Sequence, residues 1–184
     1  MRSIARFGTF LALLVALIQP VGTQQSDSLM SDLTRDVKQV HSKMMQLAKA
    51  MPDKAYEWRP GAGVRSTQET LMHVAADNYF IPAAMGLGAP AETGITNKYE
   101  SSVAFEKKTR TRDEVISELE KSFAFLENLM TTFPDDKLGA PVDVFGQKMT
   151  NRGMWIAATT HLHEHLGQLI AYARSSNVTP PWSK

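Results

Sequence analysis

The chain has 184 residues, of which 43% are hydrophobic and 21% are charged, so we expect one globular domain with a single core. Its 20 Lys and Arg and 19 Asp and Glu give a net charge of +1, which leaves no broad basic surface for a nucleic-acid backbone. The chain contains no cysteine, which excludes disulfides, thiolate metal clusters and a cysteine nucleophile.

The N-terminus has the pattern of an export signal. Arg2 and Arg6 precede an apolar run from Phe7 to Ile18, and small residues follow at 21–23. A membrane-spanning helix needs about 20 apolar residues, so this shorter run favours a cleaved signal peptide over an anchor. The alternative is a buried first helix of the domain. We predict a signal peptide at residues 1–23, a periplasmic or extracellular protein, and no stable membrane insertion after cleavage.

The domain is predicted to span residues 28–182 and to begin with an amphipathic helix. Apolar residues recur at every third or fourth position from Leu29 onwards, with charged residues between them, and Pro52 follows the last one. This apolar stripe consists of Leu29, Leu33, Val37, Val40, Met44, Leu47 and Met51.

A capping box predicts the start of a second helix. The side chain of Ser66 and that of Glu69 can each satisfy a backbone amide that the first turn leaves free. We expect this helix to continue to about Phe80 and to end before Pro82, because proline is unfavourable inside a helix.

Thr111 and Glu114 form the same box at the start of a third helix, which Pro134 ends. Its apolar stripe is predicted to face the core and consists of Val115, Leu119, Phe123, Leu126, Met130 and Phe133.

A fourth helix is predicted from Asn151 to about Ser175. Four long helices with no sheet to pack on indicate an all-α protein, a four-helix bundle. We expect the connections at 82–110 and 134–150 to be loops, with one short strand-like piece at 142–145.

The stripe of the fourth helix turns polar halfway along its length. It runs through Met154, Ala158, His161, His165, Gln168 and Tyr172. His161 and His165 are four residues apart, so their imidazoles leave the same helix face, whereas His163 points to the other side. The inward stripe of the second helix carries His73 and Asp77. Burying such groups without partners costs about 1–3 kcal/mol each, and a divalent metal ion is the simplest partner. Three imidazoles with one open position are typical of a catalytic metal site.

Four stretches of the sequence resemble the DinB family, specifically the DinB/YfiT-like group of bacterial metalloenzymes. They are YEWRP at 56–60, VRS at 64–66, LMHVA at 71–75 and HLHEHLGQL at 161–169. The resemblance implies a bundle that holds a divalent ion (zinc, nickel, iron or manganese) through His73, His161 and His165. Leu166 stands where the family usually has a basic residue, so a substrate contact from that position is not expected.

Two carboxylates are candidates for catalysis. Asp77 lies one turn after His73 and is interpreted as a fourth ligand, an acceptor behind the ligands or a general base, with a plain helix-end charge as the alternative. Glu164 is either a proton-transfer group at the edge of the site or a solvated surface residue. Gln168 is expected to hydrogen-bond a ligand imidazole.

These residues favour a metal-dependent hydrolase that acts on a small molecule, with Asp77 or Glu164 moving the proton. The resemblance supplies one alternative, a transferase or isomerase that uses a low-molecular-weight thiol. A non-catalytic metal-binding stress protein is the other. A homodimer is an option that the sequence leaves open.

Overall fold

The structure, a computed structural model, describes residues 28–183. The helices are α1 (Leu29–Ala50), α2 (Asp53–Tyr56), α3 (Thr67–Ala84), α4 (Tyr99–Glu106), α5 (Arg112–Thr132) and α6 (Asn151–Ser175). The strands are β1 (Pro141–Val144) and β2 (Gln147–Thr150), which pair as an antiparallel hairpin. The signal peptide predicted at 1–23 lies outside the described residues.

The four long helices form a bundle, in which α1 and α3 each pack against both α5 and α6. Its core contains the predicted stripe of α5, since Val115, Leu119, Phe123, Leu126 and Met130 are at most 1% exposed. The starts of α3 and α5 carry both predicted capping boxes, with each hydroxyl and each glutamate bonded to the other's backbone amide. The helical fold and the bounds of three long helices are therefore confirmed.

The end predicted for the second helix is wrong, because α3 continues through Pro82 to Ala84. Proline here removes one backbone hydrogen bond near the end of the helix. Pro82 and Ala83 are buried in the core, and the amides of Met85 and Leu87 bond to the carbonyls of the last turn. Burial and this cap hold the extra turn in place.

Both connections that we expected to be loops contain regular structure. The segment 82–110 includes α4, which packs against α3, and 134–150 includes the β1–β2 hairpin. The strand-like piece predicted at 142–145 overlaps β1 but misses its partner strand. Short elements of this kind are held by packing rather than by their own propensity, so their sequence signal is weak.

No helix within residues 28–183 is long and apolar enough to cross a membrane.

Candidate metal centre

Three imidazoles meet where α3 faces α6. The Nε2 atom of His161 lies 3.3 Å from Nε2 of His73 and 3.0 Å from Nε2 of His165. Metal–nitrogen bonds of about 2.0–2.1 Å place neighbouring nitrogens of a tetrahedral site about 3.3 Å apart. Both distances from His161 therefore suit ligands of one ion, and the three ligand atoms all lie within 4.8 Å of one another, so the cluster could hold a metal ion.

His73 is oriented by a residue that the sequence reasoning missed. Its Nδ1 donates a hydrogen bond of 2.8 Å to Glu106 on α4, and Arg65 donates to the second oxygen of the same carboxylate at 3.2 Å. A carboxylate can only accept here, so Nδ1 carries the proton of His73. The lone pair of Nε2 then points into the cluster, as metal ligation requires.

A chain of three hydrogen bonds orients His165 in the same way. The Tyr172 hydroxyl must donate to the backbone carbonyl of Arg65, because a carbonyl only accepts, and this bond is 3.1 Å long. That hydroxyl therefore accepts from the Gln168 amide nitrogen at 2.7 Å, which turns the Gln168 oxygen towards His165 Nδ1 at 2.8 Å. Nδ1 of His165 is thus protonated and its Nε2 is free to ligate. The hydrogen bond predicted from Gln168 is confirmed at the imidazole of His165, whose role as a metal ligand stays a prediction.

Burial favours the neutral form of two of the imidazoles, those of His161 and His165. Burial first, and then the neighbouring rings of His165 and His73, lower the pKa of His161 from 6.5 to about 3. Burial also lowers the pKa of His165. Neutral imidazole is the form that binds metal, so His161 and His165 are kept in the form that ligation requires.

Asp77 belongs to the cluster. Its Oδ2 is 3.2 Å from Nε2 of His161 and 3.5 Å from Nε2 of His73, and its Oδ1 accepts a hydrogen bond of 3.3 Å from Ser102. The side chain is 16% exposed and α3 continues beyond it to Ala84, so the helix-end alternative is wrong. Asp77 faces the Nε2 atoms, so the roles of ligand and base fit this position, whereas an acceptor behind the ligands would have to face Nδ1.

The two carboxyl groups have pKa values shifted in opposite directions. Burial raises the pKa of Asp77, with His73 opposing the shift and Glu106 adding to it. Burial acts to raise the pKa of Glu106 as well, but the hydrogen bond and charge of His73, together with Arg65, outweigh it and hold that pKa below its ordinary value. Glu106 is therefore the fixed acceptor, and Asp77 is the carboxyl better suited to exchange a proton.

Glu164 and His163 lie outside the cluster. Glu164 is exposed, and its charge acts to raise the pKa of His165. Its role in proton transfer stays a prediction. His163 contacts Asp36 on α1 at 2.6 Å with a half-exposed side chain, which confirms that it faces away from the other two histidines of α6.

The sequence did not predict Glu106 as a site residue, because it lies in the segment 82–110, where we expected a loop. Tyr99, Ser102 and Glu106 are spaced by three and four residues, as on one face of a helix. That spacing is the signal that could have placed Glu106 beside the site.

The fold is a helical bundle, and its three clustered histidines have the donor set of a candidate metal centre. A sequence model of the DinB superfamily matches residues 36–169, and the chain belongs to that superfamily. No curated protein matches the chain.

Several solved structures share the fold. A DinB-like protein from Bacillus cereus ATCC 10987 is 18% identical and has a TM-score of 0.67, with 84% of this chain and 97% of that one covered. YfiT from Bacillus subtilis, described as a probable metal-dependent hydrolase with an unusual four-helix bundle topology, is 14% identical with a TM-score of 0.64, covering 82% and 89%. A mutant of mycothiol-dependent maleylpyruvate isomerase is 13% identical with a TM-score of 0.61, covering 76% and 60%.

Proposed function

We propose that this protein is an exported metal-dependent hydrolase that acts on a small molecule. His73, His161 and His165 would hold one divalent ion through their Nε2 atoms, and water or substrate would reach the ion from the side that the histidines leave open. The observation that carries the proposal is the orientation of the rings. In His73 and His165, Nδ1 is hydrogen-bonded to an acceptor, so the lone pair of Nε2 points towards His161. The Nε2 atoms of His165 and His161 are separated by about the distance expected between two ligands of a tetrahedral site.

A divalent ion at this position would supply Lewis acidity, which would polarise a carbonyl oxygen and make water a better nucleophile at neutral pH. Asp77 takes the proton from the attacking water, since its carboxylate lies within 3.5 Å of two of the ligand nitrogens. Its raised pKa brings its proton affinity closer to that needed of a general base near neutral pH. Glu106 keeps its charge and holds His73 in position.

The first test is the metal content of the mature protein, purified without a histidine tag. We expect close to one divalent ion per chain by elemental analysis. His161→Ala and His165→Ala should lose the ion, whereas the matched control His163→Ala should keep it, because His163 is paired with Asp36 on the far side of α6. Equal loss from all three variants would refute the assignment.

The second test is activity. A panel of esters and amides should reveal turnover by the metal-loaded protein. Asp77→Asn should retain the ion and lose about 10²–10⁴-fold in turnover, the usual contribution of a positioned base. Full activity in this variant would remove Asp77 from the mechanism. Low-molecular-weight thiols in the same panel test the thiol-dependent alternative, and turnover with thiols alone would replace the hydrolase proposal.

A further inference from the structure

Three aromatic rings form a surface patch next to the metal centre. Phe80 at the end of α3 is 7% exposed and lies beneath two exposed rings, Tyr99 at 56% and Phe145 at 63%. Phe145 stacks on Phe80 with ring centroids 5.9 Å apart, and Tyr99 meets Phe80 edge to face at 6.3 Å. We call Phe80, Tyr99 and Phe145 the aromatic patch. Exposed aromatic surface of this kind commonly marks a binding site.

The backbone at Phe145 is strained. Phe145 and Gly146 form the two-residue turn between β1 and β2, and both have positive φ, of 54° and 79°. Such turns strongly prefer asparagine or aspartate before the glycine, and a bulky aromatic residue in this conformation is an outlier. The turn therefore carries an exposed ring at a cost in stability, which suggests that the ring serves binding.

The packing of α4 on α3 places the patch in line with the metal centre. Three residues on one face of α4 contact three residues on one face of α3, in antiparallel order. The pairs are Glu106 with His73, Ser102 with Asp77, and Tyr99 with Phe80. The first two pairs belong to the metal centre and the third belongs to the aromatic patch.

This register fixes the separation between the two. Phe80 follows Asp77 by three residues and His73 by seven, so it lies about 5 Å and about 10 Å further along α3. Along the helix axis, this separation is short enough for one small molecule to span. Rings stacked or set edge to face with a third ring are a favourable arrangement for a further aromatic group.

We propose that the aromatic patch binds an aryl group of the substrate, so that the substrate class is an ester or amide whose scissile carbonyl is separated from an aromatic ring by a few bonds. This inference rests on the proposed hydrolase function, because the carbonyl is placed at the metal centre. The ring itself is recognised by Tyr99 and Phe145, without help from the metal.

The test compares metal-chelating probes of different length on the metal-loaded protein. Acetohydroxamate has only the chelating group, while phenylaceto-, 3-phenylpropano- and 4-phenylbutanohydroxamate add a ring at increasing distance. Calorimetry should show that one or more of the aryl probes bind more tightly than acetohydroxamate. Phe145→Asn and Tyr99→Ala should each weaken the best aryl probe by about three- to tenfold and leave acetohydroxamate unchanged.

Phe145→Asn is the sharper variant, because asparagine tolerates the left-handed conformation and keeps the turn while the ring is lost. The matched control is Ile156→Ala. Ile156 is an exposed apolar residue on the same face of α6 as His163. This face lies next to α1, where His163 contacts Asp36, and not next to α3. This control should leave every affinity unchanged.

A second measurement separates this inference from the proposed function. In metal-free protein, the fluorine NMR signal of 3-(4-fluorophenyl)propanoate should broaden, and Phe145→Asn should abolish the broadening. Suppose that no hydroxamate binds the metal-loaded protein but the fluorine signal still broadens. The proposed open position on the metal is then refuted, while binding of the aryl group to the aromatic patch is supported. If the aryl probes keep their full affinity for Phe145→Asn and Tyr99→Ala, the proposed aromatic site is refuted. The same holds if Phe145→Asn lowers the melting temperature but changes neither the affinities nor the fluorine broadening.

Discussion

Acid should destabilise the metal-free protein through His161. Its pKa is lowered to about 3 in the folded protein, whereas the unfolded chain restores the ordinary value near 6.5. Between these two values the unfolded state binds a proton that the folded state does not bind. The stability that His161 contributes is therefore complete above about pH 6.5 and is lost progressively as the pH falls towards about 3.

The size of the effect follows from the shift. Each pH unit inside this window costs about 1.4 kcal/mol of the free energy of unfolding, so acidification to about pH 4 costs about 3 kcal/mol through His161 alone. The lowered pKa of His165 acts in the same direction. Since a small domain is stable by about 5–15 kcal/mol, a loss of this size is readily measured.

The assay is urea denaturation of chelator-treated protein at several pH values between about 7 and 4. The free energy of unfolding of the wild type should fall more steeply with decreasing pH than that of His161→Asn, by about 1.4 kcal/mol per pH unit. The other titrating groups remain in the variant, so the difference between the two slopes reports His161. Parallel slopes would refute the conclusion that the ring is buried and neutral.

Other predictions concern the support of the site, the core and processing. Glu106→Gln should keep the fold but weaken metal binding about 10–100-fold in a competitive chelator titration, because His73 loses a charged acceptor; unchanged affinity would contradict this. Leu119→Ala should lower the free energy of unfolding by about 2–5 kcal/mol in urea, since Leu119 is fully buried, and a loss below about 1 kcal/mol would contradict the packing. The full-length chain, expressed in a bacterium, should yield a periplasmic form about two dozen residues shorter by mass spectrometry. An intact N-terminus on cytoplasmic protein would contradict the export proposal.

The sequence by itself determined the long helices and the main members of the site. Capping boxes act within four residues, and apolar stripes repeat within one or two turns, so both can be recognised from short stretches of sequence. The same local spacing predicted that His161 and His165 lie on one face of α6 and that His163 lies on the opposite face, as the structure confirms. The position of His73 and Asp77 on the inward stripe of α3 was predicted in the same way.

The tertiary structure alone decided what surrounds those residues. Glu106 reaches His73 across 33 positions of sequence, and the carbonyl of Arg65 is joined to Tyr172 across 107. The short helix α4 is stabilised by its packing on α3. It has no side-chain cap and no strong helix propensity from which the sequence could predict it. Proton positions on the imidazoles, the direction of the pKa shifts and the alignment of the aromatic patch with the metal centre all depend on such contacts, because burial and charge act through space rather than along the chain.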